Sequence, residues 1–344
     1  MEHSDISASS RAKDRHIEVS LAQPVESVYS NGFDAFELVS DLPDFALDQL
    51  ETKTRLLGRT LSIPLFISSM TGGTSRAGEI NARLAVAAER LGIGLAVGSQ
   101  HLMLRDPSLK ATFSVRHLAP DILLFADLGL VHLNHDLTPV LCRQAVETIE
   151  ADALMLYINP LHEAVQAEGS TDFTGLLDKL AALCADFPYP VLVKEVGFGL
   201  SPSTLERLSR LPLAGVDVAG RGGTHWGRVE AALGGRPLDS ALEQLGWATA
   251  YSLEAAVEIL PQTMLVFASG GIRNGVEVAK ALALGADAVG MGLPFLRWAC
   301  ESTERIVAEV SQIERELRVA MWYAGAQEPA TLAGRARRRP DRGE

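Results

Sequence analysis

Two glycine-rich stretches in the last third of the sequence have the residue types and the spacing of a phosphate site. Ser269-Gly270-Gly271 ends one apolar stretch, and Gly290-Met291 ends the next. Glycines in such places let backbone N–H groups approach a phosphate closely, and the helix that follows adds its positive end. Either cluster alone is more often a tight turn, but two in consecutive strand–helix units predict that a phosphate group is bound there.

Three further stretches place small, hydroxyl or charged residues where strands are expected to end. They are Met70-Thr71-Gly72, Gly98-Ser99-Gln100 and Lys194-Glu195. Small residues can approach the edge of a flat ring, and a lysine inside a barrel can stabilise negative charge on the N1/O2 side of a flavin. An alternative for the lysine is an ion pair with Glu195 or Asp217. Together with the phosphate site, these stretches favour flavin mononucleotide (FMN) as the ligand.

The elements that would position these residues are eight apolar stretches alternating with helical ones, which predict parallel strands joined by crossover helices. Most of the eight are continuously apolar, as expected of strands buried on both faces. The predicted strands are 65–70, 94–99, 121–129, 153–160, 190–197, 215–220, 264–271 and 288–292, and the predicted helices are 77–91, 138–150, 174–184, 203–211, 252–260 and 275–284. The predicted fold class is therefore α/β, a (β/α)8 TIM barrel of the FMN-binding type, with its ligands at the carboxyl ends of the strands.

Outside the strand–helix units we expect one domain over 11–334, which includes an N-terminal substrate-binding segment. Residues 1–10 are rich in serine and 335–344 are rich in arginine, so both ends are predicted to be disordered. The segment 224–247 is longer than a usual connection and contains Gly234, Gly235 and Pro237. It is predicted to be an active-site loop after the sixth strand.

Composition limits the class of protein and its partners. The 344 residues are 47% hydrophobic and 22% charged, with a net charge of -12, which disfavours binding to nucleic acid or an anionic membrane. An anionic substrate would need a local basic pocket. Cys142, Cys184 and Cys300 lack metal-ligand spacing, and no apolar run reaches the roughly 18 residues of a membrane helix. We expect a cytoplasmic protein with free cysteines and a small-molecule substrate.

From about residue 13 to residue 334, the sequence resembles the type 2 isopentenyl-diphosphate isomerases, which are FMN-dependent barrels. The most similar stretches are 69–73, 193–199, 217–224 and 268–296. The resemblance implies an allylic rearrangement of isopentenyl to dimethylallyl diphosphate. It implies reduced FMN as acid and base, Mg²⁺ on the diphosphate and NAD(P)H as the initial reductant. It also implies a homo-oligomer, either a tetramer or an octamer.

The resemblance also assigns site residues. Lys13 and His16 match an N-terminal motif that holds the diphosphate, and their spacing places both on one face of a helix. Glu163 would hold Mg²⁺, which prefers hard oxygen ligands. Asn159 and His162 would bind the substrate, with His162 and Lys194 in catalytic roles. The FMN contacts would be Met70, Thr71, Gly72, Ser99, Asp127, Lys194, Thr224, Ser269, Gly270, Gly271, Gly290 and Met291.

Four positions depart from the family pattern, and all four fall at the site. Ala12 stands where the motif has Arg, so one phosphate-binding guanidinium is missing unless Arg11 or Arg15 replaces it. Asp127 stands where an Asn would donate to the flavin, and an ionised carboxylate only accepts hydrogen bonds. Tyr157 replaces a His, and His162 replaces a Gln beside the reacting alkene.

These departures leave several functions open. The chain is either an isomerase whose site has compensated or a paralogue that acts on another prenyl or carbonyl substrate. A second alternative is an FMN-dependent oxidoreductase of 2-hydroxy acids, for which His225 offers a base without an evident partner arginine. A third is a flavin-binding barrel without catalysis that serves as a sensor or a subunit.

Overall fold

All eight predicted strands form, and they close into one parallel barrel in the computed structural model, which describes residues 2–235 and 237–340. The barrel order is β10-β11-β4-β5-β6-β7-β8-β9. In chain order the strands are β1 (Phe36–Leu38), β2 (Thr54–Leu56), β3 (Arg59–Leu61), β4 (Leu65–Ile67), β5 (Gly94–Ala96), β6 (Leu124–Gly129), β7 (Ala153–Tyr157), β8 (Val191–Lys194), β9 (Gly215–Asp217), β10 (Leu265–Ser269), β11 (Ala288–Met291) and β12 (Ala336–Arg338).

The helices surround this barrel, and several begin at the capping residue that the sequence supplies. Thr74, Thr138, Ser201 and Asn274 each accept the backbone N–H three residues later. The helices are α1 (Glu2–Ala22), α2 (Ser75–Leu91), α3 (His101–Arg105), α4 (Pro139–Ile149), α5 (Pro160–Val165), α6 (Leu176–Asp186), α7 (Pro202–Leu208), α8 (Trp226–Leu233), α9 (Thr249–Ile259), α10 (Gly275–Ala283), α11 (Leu293–Glu301) and α12 (Thr303–Tyr323).

The core has two parts. Inside the barrel, the rings of Phe66, Phe125 and Phe267 contact one another with centroids 5.3 to 6.1 Å apart. A larger apolar layer lies between the strands and the helices, because the barrel strands carry apolar side chains on both faces. The interior is therefore filled at one end, and the opposite, carboxyl ends of the strands remain for ligands.

The segment 224–247 is predicted to be a loop, but in the structure part of it is helical. Its first part is α8, and Leu242–Gln244 form a short 3-10 helix. The glycines and the proline that suggested a loop all follow α8, so they end the helix rather than prevent it. As a helix, α8 packs against α1 and α5 beside the site.

The two ends, for which disorder is predicted, contain regular elements in the structure. Residues 2–10 belong to α1, since no glycine or proline interrupts 2–22 and the helix buries Ile17 where it meets the barrel. The tail contains β12, which pairs antiparallel with β1. Met1 and residues 341–344 lie outside the described residues. None of the described helices is both long and apolar enough to cross a membrane.

Candidate active site

A cavity of about 390 Å³ opens at the carboxyl ends of the barrel strands, and α1 contributes to its wall. Sixteen of the predicted site residues line this cavity: Lys13, His16, Met70, Thr71, Ser99, Asp127, Asn159, His162, Glu163, Lys194, Thr224, Ser269, Gly270, Gly271, Gly290 and Met291. The exception is Gly72, whose backbone packs under the ring of Phe113. Residues as far apart in the sequence as Lys13 and Met291 therefore line one cavity.

The glycine-rich turns after β10 and β11 form one side of this cavity. Gly270 and Gly271 have φ angles of 103° and 74°, which present the backbone in a conformation that side chains disfavour. A Cβ on Gly290 would lie 2.6 Å from Ser68 Oγ and 2.8 Å from the Cβ of Ser269. These turns leave room for a ligand to approach the backbone, as a phosphate site requires.

The floor of the cavity carries a buried ion pair between two of the predicted cofactor residues. Lys194 Nζ lies 3.6 Å from Asp127 Oδ2, rather than pairing with Glu195 or Asp217. Burial raises the pKa of Asp127, while Lys194, Ser69 and Lys13 act in the opposite direction. The negative charge that Asp127 introduces in place of an amide is thus countered by two lysines.

Tyr157, another departure from the family pattern, keeps a polar group in this region. Its hydroxyl donates to Ser99 Oγ over 3.3 Å, and Lys194 Nζ lies 5.5 Å from the centre of its ring. Burial raises the pKa of Tyr157, so the phenol stays protonated at neutral pH. It can therefore act as a hydrogen-bond donor toward the cavity.

A third group of charges joins α1, α5 and α8. One oxygen of Glu230, Oε1, is 2.8 Å from His16 Nε2 and 3.0 Å from His162 Nε2. Burial acts to raise the pKa of Glu230, but the hydrogen bonds from His16 and His162 outweigh it and lower the pKa to about 2. Trp226 packs beside both histidine rings. A single, partly buried carboxylate therefore orients both predicted substrate-binding histidines.

Sequence reasoning missed Glu230, although it found both of its partners. Glu230 lies 214 residues from His16 and 68 from His162 along the chain, in the segment predicted as a loop. A helix over 226–233 would have indicated Glu230, because the spacing of four residues puts Trp226 and Glu230 on one face.

Glu163 is held in place by two hydrogen bonds. Asn159 Nδ2 donates to its Oε1 over 2.7 Å, and the backbone N–H of Ser170 donates to its Oε2 over 2.6 Å. Asn159 Oδ1 is buried and has no hydrogen-bond partner among the described residues. A carboxylate beside an unpaired amide oxygen is a donor set that suits Mg²⁺.

Other buried polar atoms along the cavity also lack partners in the part of the chain that the structure describes. They are Ser68 Oγ, Thr71 Oγ1 and Asp127 Oδ1. Buried polar groups are normally hydrogen-bonded, so these atoms indicate a polar ligand in the cavity. The glycine turns, the hydroxyls and Lys194 fit the phosphate and the ring edge of FMN.

The guanidinium that Ala12 lacks is not restored by its neighbours. Arg11 and Arg15 are not among the described residues that line the cavity, and Arg15 donates to the carbonyl of Leu233 over 2.9 Å. Arg273 does line the cavity, and it forms an ion pair with Glu26. Within the cavity, Lys13 and His16 are the predicted diphosphate ligands on α1.

His225, the base that a hydroxy-acid oxidase would need, does not fit that role. It is buried, packs edge-on against Phe198 and is not among the residues that line the cavity. Both of its ring nitrogens lack partners among the described residues. A base must reach its substrate, so this geometry argues against the oxidoreductase alternative.

Comparison with known structures identifies the fold. A mandelate oxidase variant superposes with a TM-score of 0.67 at 19% identity, covering 97% of this chain and 99% of that one. A flavocytochrome b2 variant superposes with a TM-score of 0.68 at 18% identity, covering 94% and 82%. At this identity the likeness shows the barrel fold and not the activity.

Comparison of sequences identifies the family. The model of the FMN-dependent dehydrogenase family matches residues 139–338. The isopentenyl-diphosphate delta-isomerase of Synechococcus sp. is 45% identical over 329 residues, which is 93% of each chain. Those of Xanthobacter autotrophicus and Rickettsia bellii are 43% and 39% identical, covering 94% and 92% of this chain and 95% and 94% of theirs. The chain therefore belongs to the type 2, FMN-dependent family of isopentenyl-diphosphate delta-isomerases.

Proposed function

We propose that this protein interconverts isopentenyl diphosphate and dimethylallyl diphosphate. The observation that carries the proposal is a single cavity lined by two sets of residues, the glycines of the phosphate site and the group Lys13, His16 and Glu163. The first set suits the phosphate of FMN, and the second suits the diphosphate of a substrate. Substrate and product are isomers, so the reaction consumes no reductant overall.

The residues of the chain have separate tasks in this reaction. Lys13 and His16 attract the diphosphate into the cavity that they line. Asn159 and His162 line the same cavity, where His162 can donate a hydrogen bond or move a proton beside the alkene. Reduced FMN, when bound, supplies the acid and base for the allylic carbons, and Lys194 stabilises negative charge at the flavin edge.

Glu163 and Asn159 Oδ1 would hold Mg²⁺ on the diphosphate. Both are oxygen donors, and the hydrogen bond between these two residues orients them together. We further propose NAD(P)H as the initial reductant, a cytoplasmic location that suits the free cysteines, and assembly into a homo-oligomer.

The decisive test is an anaerobic assay of the FMN-loaded, photoreduced protein with isopentenyl diphosphate and Mg²⁺. We expect dimethylallyl diphosphate to form with no net oxidation of the flavin. Glu163→Gln should raise the Mg²⁺ concentration needed for half-maximal rate, because a charged ligand is lost. Glu51→Gln, at an exposed position, is the matched control.

The same assay with His162→Gln separates the isomerase from a paralogue on another substrate. A higher rate in this variant means that His162 weakens an isomerase site. If neither the wild type nor His162→Gln interconverts the two diphosphates, the proposed activity is refuted.

A further inference from the structure

Beside the proposed active site, two histidines and an aspartate from neighbouring strand–helix connections come together. His101 begins α3 after β5, His132 lies in the 3-10 helix Leu130–Asn134 after β6, and Asp136 follows it. One ligand atom from each residue lies within 4.8 Å of the others. His101 Nε2 is 2.9 Å from both carboxylate oxygens of Asp136.

The cluster is accessible both from solvent and from the cavity. The side chain of Asp136 is 51% exposed and that of His101 is 20% exposed. His132 lines the cavity described above. An ion can therefore enter from solvent, and its remaining coordination positions would face water.

The cluster holds a pair of imidazoles in close contact. The rings of His101 and His132 stack with centroids 4.0 Å apart and planes inclined by 11°, and His135 lies 6.4 Å from His132. Two imidazoles in contact therefore lie beside one carboxylate, which is the geometry that the proposed site needs.

We propose that His101, His132 and Asp136 form a binding site for a divalent transition metal ion such as Zn²⁺. Two imidazoles and a carboxylate are ligands that Zn²⁺ prefers, whereas Mg²⁺ prefers oxygen alone. To bind the ion, one imidazole rotates out of the stack so that its nitrogen points at the metal. The ion then takes the place of the hydrogen bond between His101 and Asp136. The site is distinct from Glu163 and does not depend on the proposed isomerase activity.

A bound ion would also change the cavity. His132 forms part of its wall, so the ion would place positive charge near a site proposed to take anions. It would also join the connections after β5 and β6, in addition to the hydrogen bond between His101 and Asp136 and the stack of His101 on His132.

The test is calorimetric titration of the untagged, FMN-loaded, chelator-treated protein with Zn²⁺, in buffer containing Mg²⁺. We expect one Zn²⁺ per chain, and Co²⁺ in the same position should give a visible spectrum of nitrogen coordination. His132→Gln and Asp136→Asn each remove a ligand. Each should weaken binding by at least the roughly 10- to 100-fold that loss of a supporting hydrogen bond causes.

Two matched controls make the result specific. His117→Gln changes an exposed histidine outside the cluster and should bind as the wild type does. His162→Gln changes the other histidine pair, which shares Glu230, and should also retain Zn²⁺. Asp136 is half-exposed, so its variant keeps the fold, which circular dichroism verifies. The proposal fails if the wild type binds no Zn²⁺, if both ligand variants bind it unchanged, or if His162→Gln abolishes binding.

Discussion

Glu230 is the residue on which the two substrate-binding histidines depend. Its buried Oε1 accepts from His16 on α1 and from His162 on α5. His162 also contacts Asn159 Nδ2 through Nδ1 over 3.2 Å. A ring held at both nitrogens keeps one orientation, so Glu230 acts as a positioning residue for His162.

We expect Glu230→Gln to lower kcat of the proposed reaction by roughly 10²-fold, because small misplacement of a reacting group has effects of that size. FMN affinity should not change, since Glu230 lies outside the glycine turns. The rate is measured by product formation, and the affinity by flavin fluorescence. An unchanged rate would show that the histidines do not need the carboxylate.

The same variant should alter acid stability. The pKa of Glu230 is lowered from 4.5 to about 2, so its stabilisation is fully present above pH 4.5 and disappears as the pH falls to about 2. Glu230→Gln should lose this part of the pH dependence, measured as the free energy of unfolding across that range. Parallel wild-type and variant curves would contradict the assignment.

Much of the site could be predicted from the sequence because barrel strands place their terminal residues around one opening. Lys194 and Ser269 each close a strand and Ser99 follows one, so strand positions alone bring them together. Glu230 could not be found in this way, because its contacts depend on how α8 packs on α1. The Lys194–Asp127 pair likewise depends on side-chain direction, which spacing does not define.

At the scale of elements, the packing of β11 against its neighbouring strands depends on the absence of a side chain at Gly290. We expect Gly290→Ala to lower FMN affinity and to lower the free energy of unfolding by about 1–3 kcal/mol, the usual effect of overpacking. Chemical denaturation and flavin titration measure the two effects. Gly234→Ala is the control, because its Cβ would lie 3.5 Å from the nearest atom. If both variants have the same flavin affinity and the same free energy of unfolding, the close contacts expected of a Cβ at Gly290 are contradicted.

The pairing of β12 with β1 gives a second prediction. Arg338 lies over the rings of Phe36 and Tyr251, 5.6 and 5.2 Å from their centres, and forms an ion pair with Glu254. We expect Arg338→Ala to lower the free energy of unfolding by about 1 kcal/mol, as exposed cation–π contacts do. Arg210→Ala, at an exposed arginine outside this sheet, is the control. No difference between them would indicate that the tail does not pack.

The strands could be predicted because each is short, apolar and bounded by turn residues. β12 could not, because three residues carry little pattern and their partner strand is about 300 positions away. α12 was missed although its signal was present. Its buried residues repeat every three or four positions, as a helix requires: Ile306, Val310, Ile313, Leu317 and Met321.

For the molecule as a whole, the buried carboxyl groups at the ligand end of the barrel oppose its stability at neutral pH. Glu195 Oε2 accepts three backbone N–H groups, from Val196, Gly197 and Phe198. Burial nevertheless raises the pKa of Glu195 from 4.5 to about 7, against the effect of these donors. Ionising this group in the folded protein therefore costs free energy that the unfolded chain does not lose.

The sign of this effect is opposite to that of Glu230. Because the pKa of Glu195 is raised, the contribution of this group to the free energy of unfolding is fully present below pH 4.5. It is lost as the pH rises through about 7. Glu195→Gln should therefore flatten the decline of the free energy of unfolding between these values, measured by denaturant titration. Glu51→Gln should leave the decline as in the wild type. The same slope in all three proteins would contradict the raised pKa.

The helix that carries Lys13 and His16 has a consequence for how the protein is made. α1 is synthesised before α8, which follows it by more than two hundred residues, and β12, which pairs with β1, follows every strand of the barrel. A nascent chain keeps α1 without its docking surface until α8 has emerged and the barrel has closed. Ribosome-bound chains that stop before β10 lack both glycine turns, so the site can form only after β10 and β11 have been synthesised.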